Sequence, residues 1–146
     1  MSRKKKLPRF PIDYIGDKAI EYNTLDWMER NQKQTTVKCI EFLFDENLGQ
    51  IQKEKNEEQI IVDLGCGTGY STEVLIDYGF KVIGIELLED MLLKAIPRKN
   101  SFSGGKYRNL EFILADIRSL PFRSEKINHG VSISAYNFII YDATKY

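Results

Sequence analysis

The apolar positions alternate between two periods along the chain, and the alternation predicts helices and strands in turn. From Asp13 to Phe44 the pattern is mostly helical, and Asp17 is placed to cap a first turn. The run from Asp26 to Phe44 spaces Trp27, Met28, Val37, Ile40, Leu43 and Phe44 among polar residues. Residues 45–58 are polar and contain Gly49, which predicts a loop. Gln59 to Leu64 is a short, β-branched apolar run, the mark of a strand buried on both faces. Ser71 to Tyr78 reads as an amphipathic helix stopped by Gly79, and Phe80 to Ile85 as a second buried strand. Leu88 to Ile96 is helical and is expected to end at Pro97. A polar loop over 98–108, with Gly104 and Gly105, leads to a third strand at Leu110–Leu114; a fourth is expected from Val131 to Ser134. Strands separated by helical crossovers imply an α/β, doubly wound, mainly parallel sheet.

Composition narrows the class. With 146 residues, 42% of them hydrophobic and 29% charged, the chain has material for one domain core but not two. Its formal net charge of zero hides a strong asymmetry. Residues 1–10 carry Arg3, Lys4, Lys5, Lys6 and Arg9 and no acid. We read residues 1–12, with Pro8 and Pro11, as a basic N-terminal arm, either solvated or laid against a phosphate backbone, and 13–146 as the folded domain. Cys39 and Cys66 supply neither a disulfide framework nor a structural zinc site, and His129 stands alone, so no metal is expected. No apolar run reaches the ~20 residues of a membrane span, and the charged start does not resemble a secretory signal. These features point to a reduced, cytoplasmic setting.

The chemistry concentrates in Asp63-Leu64-Gly65-Cys66-Gly67-Thr68-Gly69, between a strand and a helix. Glycines at 65, 67 and 69 allow a sharp turn and close approach of a ligand, and the helix N-terminal amides beyond them favour an anionic group. Dinucleotide sites prefer G-x-G-x-x-G, whereas this loop is G-x-G-x-G with an acid two residues ahead. A ligand-free turn and a nicotinamide or flavin site are the alternatives. Glu86 ends the second strand, where an acid can accept from both ribose hydroxyls, and Leu87 follows it. Asp116-Ile117 follows the third strand as an acid and a free amide. Cys66 reads as a small residue in a tight loop rather than a nucleophile. His129 reads as a surface or packing residue, with a catalytic role as the alternative. Tyr136, Phe138 and Tyr141 offer rings either to a flipped base or to the core.

The loop resembles motif I of the class I S-adenosylmethionine (SAM) methyltransferases. That resemblance implies a Rossmann-like fold and SAM as cofactor. The loop, with Cys66, would wrap the ribose and methionine portion, with Asp63 near the cationic amino end. Glu86 would hold the ribose, and Asp116 and Ile117 the adenine. Ser132-Ile133-Ser134-Ala135 takes the motif IV position and lacks the Asn/Asp-Pro-Pro-aromatic signature of exocyclic-amine methylation. An acceptor needing little activation, such as guanine N7, fits better, with an acidic carbon of a small molecule as the alternative.

Residues 22–44 also resemble the cofactor-covering helix of the small-subunit rRNA (guanine-N7) methyltransferases of ribosome biogenesis. Tyr22, Met28, Gln32, Glu41 and Leu43 fall at matching positions, which carries Tyr22 and Gln32 over as cofactor contacts. Ser132-Ile133-Ser134-Ala135 followed by Phe138 is similar to that family's motif IV, making Ser132, Ser134, Tyr136 and Phe138 acceptor-site candidates and Ser132 a further cofactor contact. The chain departs from the family at Asn128-His129, where an Asp-Gly pair is usual, at Phe138, where Trp is usual, and at Trp27, where Arg is usual. The resemblance further implies rRNA as substrate and a small zinc-binding activator subunit pairing with the edge of the third strand; DNA and membrane are not expected partners. A full sheet of this class has seven strands, so a chain with four is expected to be truncated after the fourth, and inactive alone or a non-catalytic SAM-binding fragment.

Overall fold

A computed structural model describes residues 9–45, 47, 58–101, 106–136 and 138. Arg3, Lys4, Lys5 and Lys6 of the basic arm, Gly49, Gly104, Gly105 and Tyr141 lie outside the described residues. The first elements are a 3₁₀ turn at Ile12–Tyr14, helix α1 (Asp17–Tyr22) and helix α2 (Asp26–Leu43). Strand β1 (Ile60–Leu64), helix α3 (Tyr70–Asp77), strand β2 (Lys81–Glu86) and helix α4 (Glu89–Ser101) follow. A 3₁₀ turn at Lys106–Asn109 leads into β3 (Leu110–Leu114), and β4 (His129–Val131) comes last. The four strands are parallel and ordered β3-β2-β1-β4, so the winding direction reverses at β1, as in a doubly wound sheet.

Burial explains the strands. Register aligns Ile61, Val82 and Leu110 across β1, β2 and β3, and all three face the core. They pack against Val74, Leu75 and Ile76 of α3, Ile40 of α2, and Phe80. Successive strand residues point to opposite faces. Val62 and Ile85, one residue out of phase with Ile61 and Val82, are also buried, as a strand covered on both faces requires.

Four local expectations need correction. Asp17 is the first residue of α1 rather than its cap; Gly16 precedes the helix, and no side chain caps it. The helical run then breaks between Tyr22 and Asp26, separating α1 from α2. Helix α4 does not stop at Pro97 but continues to Ser101, so the start of the expected 98–108 loop is helical. Proline removes one helical N–H, and the tertiary contacts of Arg98, described below, hold the next turn in place. Strand β4 ends at Val131, not Ser134, because its neighbour β1 turns into the glycine loop just beyond the last paired residue, Asp63.

Candidate cofactor and acceptor site

The site gathers at the carboxyl ends of the strands, beside the reversal point of the sheet, where open α/β sheets bind ligands. After β1 the backbone turns through Gly65, Gly67 and Gly69 at φ of +76°, +56° and +90°. Two of these positions show why glycine is needed. A Cβ on Gly65 would lie 2.3 Å from Cβ of Ala135, in the segment beyond β4. At Gly67 such a Cβ would sit in ordinary van der Waals contact with Cε of Met91 at 3.5 Å, so glycine is needed there for its left-handed φ rather than for room. The amides of Gly65 and Cys66 both donate to the Ile85 carbonyl at 2.9 Å, locking the loop onto β2.

Two buried acids lie under and beside this loop. Asp63 is fully buried, and its Oδ2 accepts from Ser71 Oγ at 2.6 Å and Thr72 Oγ1 at 2.7 Å. Its Oδ1 has no hydrogen-bond partner, and burial raises its pKa from 3.8 to about 6. Asp63 therefore anchors the start of α3 from beneath. Glu86 accepts from the Gly67 amide through Oε2 and from the Leu88 amide through Oε1, each at 2.9 Å. Burial raises its pKa, opposed by those backbone N–H groups. Each oxygen keeps a further lone pair for a ligand hydroxyl. Cys66 is buried, which pushes its thiol well above its ordinary pKa; it fills the loop as a small residue.

Tyr22 and Gln32, which the resemblance carries over as cofactor contacts, lie side by side. Gln32 Nε2 donates to the Tyr22 hydroxyl, and the Tyr22 ring stacks on Tyr70 with centroids 6.5 Å apart. Burial pushes the Tyr22 phenol up to about 12, with Glu86 among the nearby charges acting in the same direction. Asp116 holds a different partner from the one expected. Arg118 donates to both its oxygens, with Nη2 to Oδ2 at 2.6 Å, and adds its backbone amide to Oδ1 at 2.8 Å. These bonds lower the Asp116 pKa. Leu87 is exposed and Ile117 is partly buried.

Beyond β4 the arrangement is looser. The Ser132 hydroxyl is buried with no hydrogen-bond partner, a free polar atom at the strand's carboxyl end. Ser134 is exposed at φ +64°, and Tyr136 is exposed. Phe138 joins an aromatic cluster with Phe10 and Tyr14. His129 lies at the opposite, amino end of β4, where Nε2 meets Gln59 Oε1 at 2.7 Å; this position supports packing rather than catalysis. Its neighbour Asn128 accepts from the Ile60 amide at 2.8 Å, so the unusual Asn128-His129 pair fastens β4 to β1. Among the described residues no cluster of His, Cys, Asp or Glu could hold a metal, and no helix is long and apolar enough to cross a membrane.

The sequence reading missed Arg98. Its Nε donates to the Thr68 carbonyl at 2.8 Å, Nη1 to Glu73 at 3.2 Å and Nη2 to Asn23 Oδ1 at 3.0 Å. Its guanidinium lies 4.4 Å from the Tyr70 ring centroid. One side chain thus ties the glycine loop to α3, α4 and the segment after α1. No local signal marks it, because every partner is distant in sequence.

Comparison with known proteins agrees with this geometry. A family model described as "Methyltransferase domain" matches residues 61–145. The chain is 28% identical over 148 residues to the 18S rRNA (guanine(1575)-N(7))-methyltransferase of Saccharomyces cerevisiae, covering 100% of this chain and 47% of that protein. It is 35% identical over 68 residues to the malonyl-[acyl-carrier protein] O-methyltransferase of Hamiltonella defensa, covering 47% of this chain and 23% of that protein. Among solved structures, the PH0226 protein of Pyrococcus horikoshii is 28% identical with a TM-score of 0.48, covering 75% of this chain and 41% of that one. The chain spans about half the length of the rRNA methyltransferase relatives that match it from end to end. A family match over more than half its residues, beginning at β1 and running through the glycine loop, places the chain in the methyltransferase-domain family.

Proposed function

We propose that this chain is the cofactor-binding part of a SAM-dependent methyltransferase acting on guanine N7 of small-subunit rRNA. The observation that carries the reading is the end-to-end similarity to an 18S rRNA (guanine-N7)-methyltransferase, together with a glycine loop fixed by Glu86. The residues fit the cofactor: Glu86 keeps unused lone pairs beside the glycine loop, and the Ser132 hydroxyl is buried without a partner. Bound SAM would supply an electrophilic methyl group. Glu86 would accept from the ribose hydroxyls. Asp116 would accept from the adenine amino group in place of Arg118, and the Ile117 amide would face the ring. Tyr22 and Gln32 would wall the pocket from above. Guanine N7 carries a free lone pair, so the acceptor side would only need to hold it in line, about 3–3.5 Å from the methyl carbon.

Partners follow from the same reading. β3 is the outer strand of the described sheet, with Leu114 exposed at its end. A small zinc-binding activator subunit would add a strand there. The basic arm, including Arg9, would meet RNA phosphates. The setting would be the cytoplasm. The similarity to a malonyl-carrier O-methyltransferase supports a second reading, in which the acceptor is a small carboxylate.

The test is transfer from labelled SAM to small-subunit rRNA and, separately, to a malonyl thioester, with and without the activator subunit. N7-specific strand scission would locate the label. The expected result is N7 label in the RNA, lost in Gly67→Val, which forces a β-branched residue into the left-handed φ of the loop. Label only in the malonyl acceptor would install the second reading. SAM affinity unchanged by Gly67→Val, measured by calorimetry, would sink the cofactor assignment itself.

A further inference from the structure

Beyond the carboxyl end of β4, three rings from distant parts of the chain meet. The Phe138 amide donates to the Ala135 carbonyl at 3.1 Å, and Ala135 is the residue seated against Gly65. Phe138 is therefore held close to the glycine loop. Phe10 stacks on its ring, with centroids 5.2 Å apart and planes 29° apart. Tyr14 meets the Phe138 ring edge-on, at 5.6 Å and 77°. Tyr14 in turn contacts Tyr22, at 5.6 Å, and Tyr22 stacks on Tyr70, at 6.5 Å. The rings thus run from the segment beyond β4 to the start of α3, the helix that follows the glycine loop.

Among the described residues, the segment carrying Phe10 is tied mainly to itself. The Arg9 amide donates to Asp13 Oδ2 at 2.7 Å, the Asp13 amide to the Arg9 carbonyl and the Tyr14 amide to the Pro11 carbonyl, each at 2.9 Å, and the Phe10 ring also lies 6.1 Å from that of Tyr14. The Gly16 amide donates to Asp90 Oδ2 of α4 at 2.7 Å. Phe10 itself remains 42% exposed, so its ring is no part of the core. What it does is lie against an aromatic face of Phe138. A flat heteroaromatic ring stacks on such a face more favourably than a phenyl ring does, because it adds area and polarised edges.

We propose that Phe10 is a placeholder for the acceptor base. It occupies the stacking position on Phe138, and a purine displaces it to reach the cofactor, with Tyr14 remaining as the edge of the slot. The purine identity rests on the function proposed above; the placeholder itself rests on the ring geometry. Such a device sets specificity. An acceptor with a broad flat ring regains the stacking that Phe10 gives up, and an aliphatic acceptor does not.

The test is binding of guanosine 5′-monophosphate to the full chain, with and without S-adenosylhomocysteine, by calorimetry. Ribose 5-phosphate serves as the ligand lacking a base. Phe10→Ala should tighten the nucleotide by about three- to tenfold, the worth of one aromatic pair. Phe138→Ala should weaken it by about fivefold or more, with or without Phe10. Ribose 5-phosphate should respond to neither substitution, and S-adenosylhomocysteine affinity should stay within about twofold throughout, which also shows that the variants fold. Nucleotide affinity unchanged or weakened in Phe10→Ala overturns the placeholder, as does nucleotide binding to none of the proteins. Failure of S-adenosylhomocysteine to bind the unaltered chain would instead count against the cofactor assignment, because the nucleotide is also measured without it.

Discussion

The two sides of the site are built differently. On the cofactor side, each turn of the loop is fixed by a buried or half-buried group: Ile85 under Gly65 and Cys66, Glu86 under Gly67, Asp63 under the start of α3, and Arg98 on Thr68. On the acceptor side, β4 offers three paired residues, then an exposed Ser134 in a left-handed conformation, an exposed Tyr136, and a half-buried Phe138 held by ring contacts. Buried hydrogen bonds specify one geometry, whereas exposed rings tolerate several. A rigid floor and an adaptable wall suit the proposed function, in which one cofactor is held and a bulky acceptor admitted.

The two sides meet where Gly65 lies against Ala135, and breaking that contact should have the largest effect. Gly65→Ala places a methyl group 2.3 Å from Cβ of Ala135 and forces alanine to φ +76°. Together these should destabilise the fold by about 2–5 kcal/mol. Adding Ala135→Gly should return the overpacking share, about 1–3 kcal/mol, and leave the backbone share. Chemical denaturation of the two single variants and the double variant measures this coupling. Strict additivity would mean that the loop and the segment beyond β4 are mechanically separate.

The next effect belongs to the cofactor side alone and shows as a pH dependence. Asp63 has a folded pKa of about 6 against 3.8 when solvated. Its folded value is raised, so its protonated form contributes stability that is fully present below about pH 3.8 and is lost as pH rises through about 6. Asp63→Asn cannot ionise. Its stability should therefore gain on the unaltered chain by up to about 3 kcal/mol between pH 4 and pH 7, then hold level. Loss of a strong acceptor for Ser71 and Thr72 adds a pH-independent offset of the opposite sign. Melts of both proteins across that range check it; a difference that stays flat would show that Asp63 does not titrate there.

Arg98→Gln should be the smallest of the three. It removes the cation–π contact and the ion pair with Glu73, costing about 1–2 kcal/mol. It also releases the Thr68 carbonyl, so S-adenosylhomocysteine affinity should fall by about three- to tenfold. A lower melting temperature with unchanged affinity would make Arg98 a purely structural tie.

Arg98 also marks where the sequence stops being legible. The unit β1–loop–α3–β2 could be read directly, because its β-branched runs and glycines act locally: Ile60–Leu64 is a strand by composition, and Gly79 ends a helix by itself. Pro97 is an equally local signal and misleads, since Arg98 reaches Asn23, Thr68, Tyr70 and Glu73, none of them within a helix turn. The end of β4 was misread for a related reason. Ser132 to Ser134 can extend as a strand, but a strand needs a neighbour, and β1 has turned away after Asp63. Tyr22 and Gln32 were placed by family resemblance, and no periodicity would have joined them. Phe10 could not be placed at all, because nothing in a run of basic residues and prolines says which ring it will meet.

The position of β1 has a consequence for how the molecule assembles. Ile61 pairs with Val82 on one side and His129 on the other, partners 21 and 68 residues away along the chain. Closing the longer loop costs only about 1 kcal/mol more in chain entropy, so the finished sheet is hardly penalised. The order of events is affected more. On a ribosome β2 emerges long before β4, and the glycine loop, whose fastenings are Ile85 and Glu86, can close while the other flank of β1 is still bare. The glycine loop can thus be closed onto β2 during synthesis before the segment beyond β4, which later seats Ala135 against it, exists.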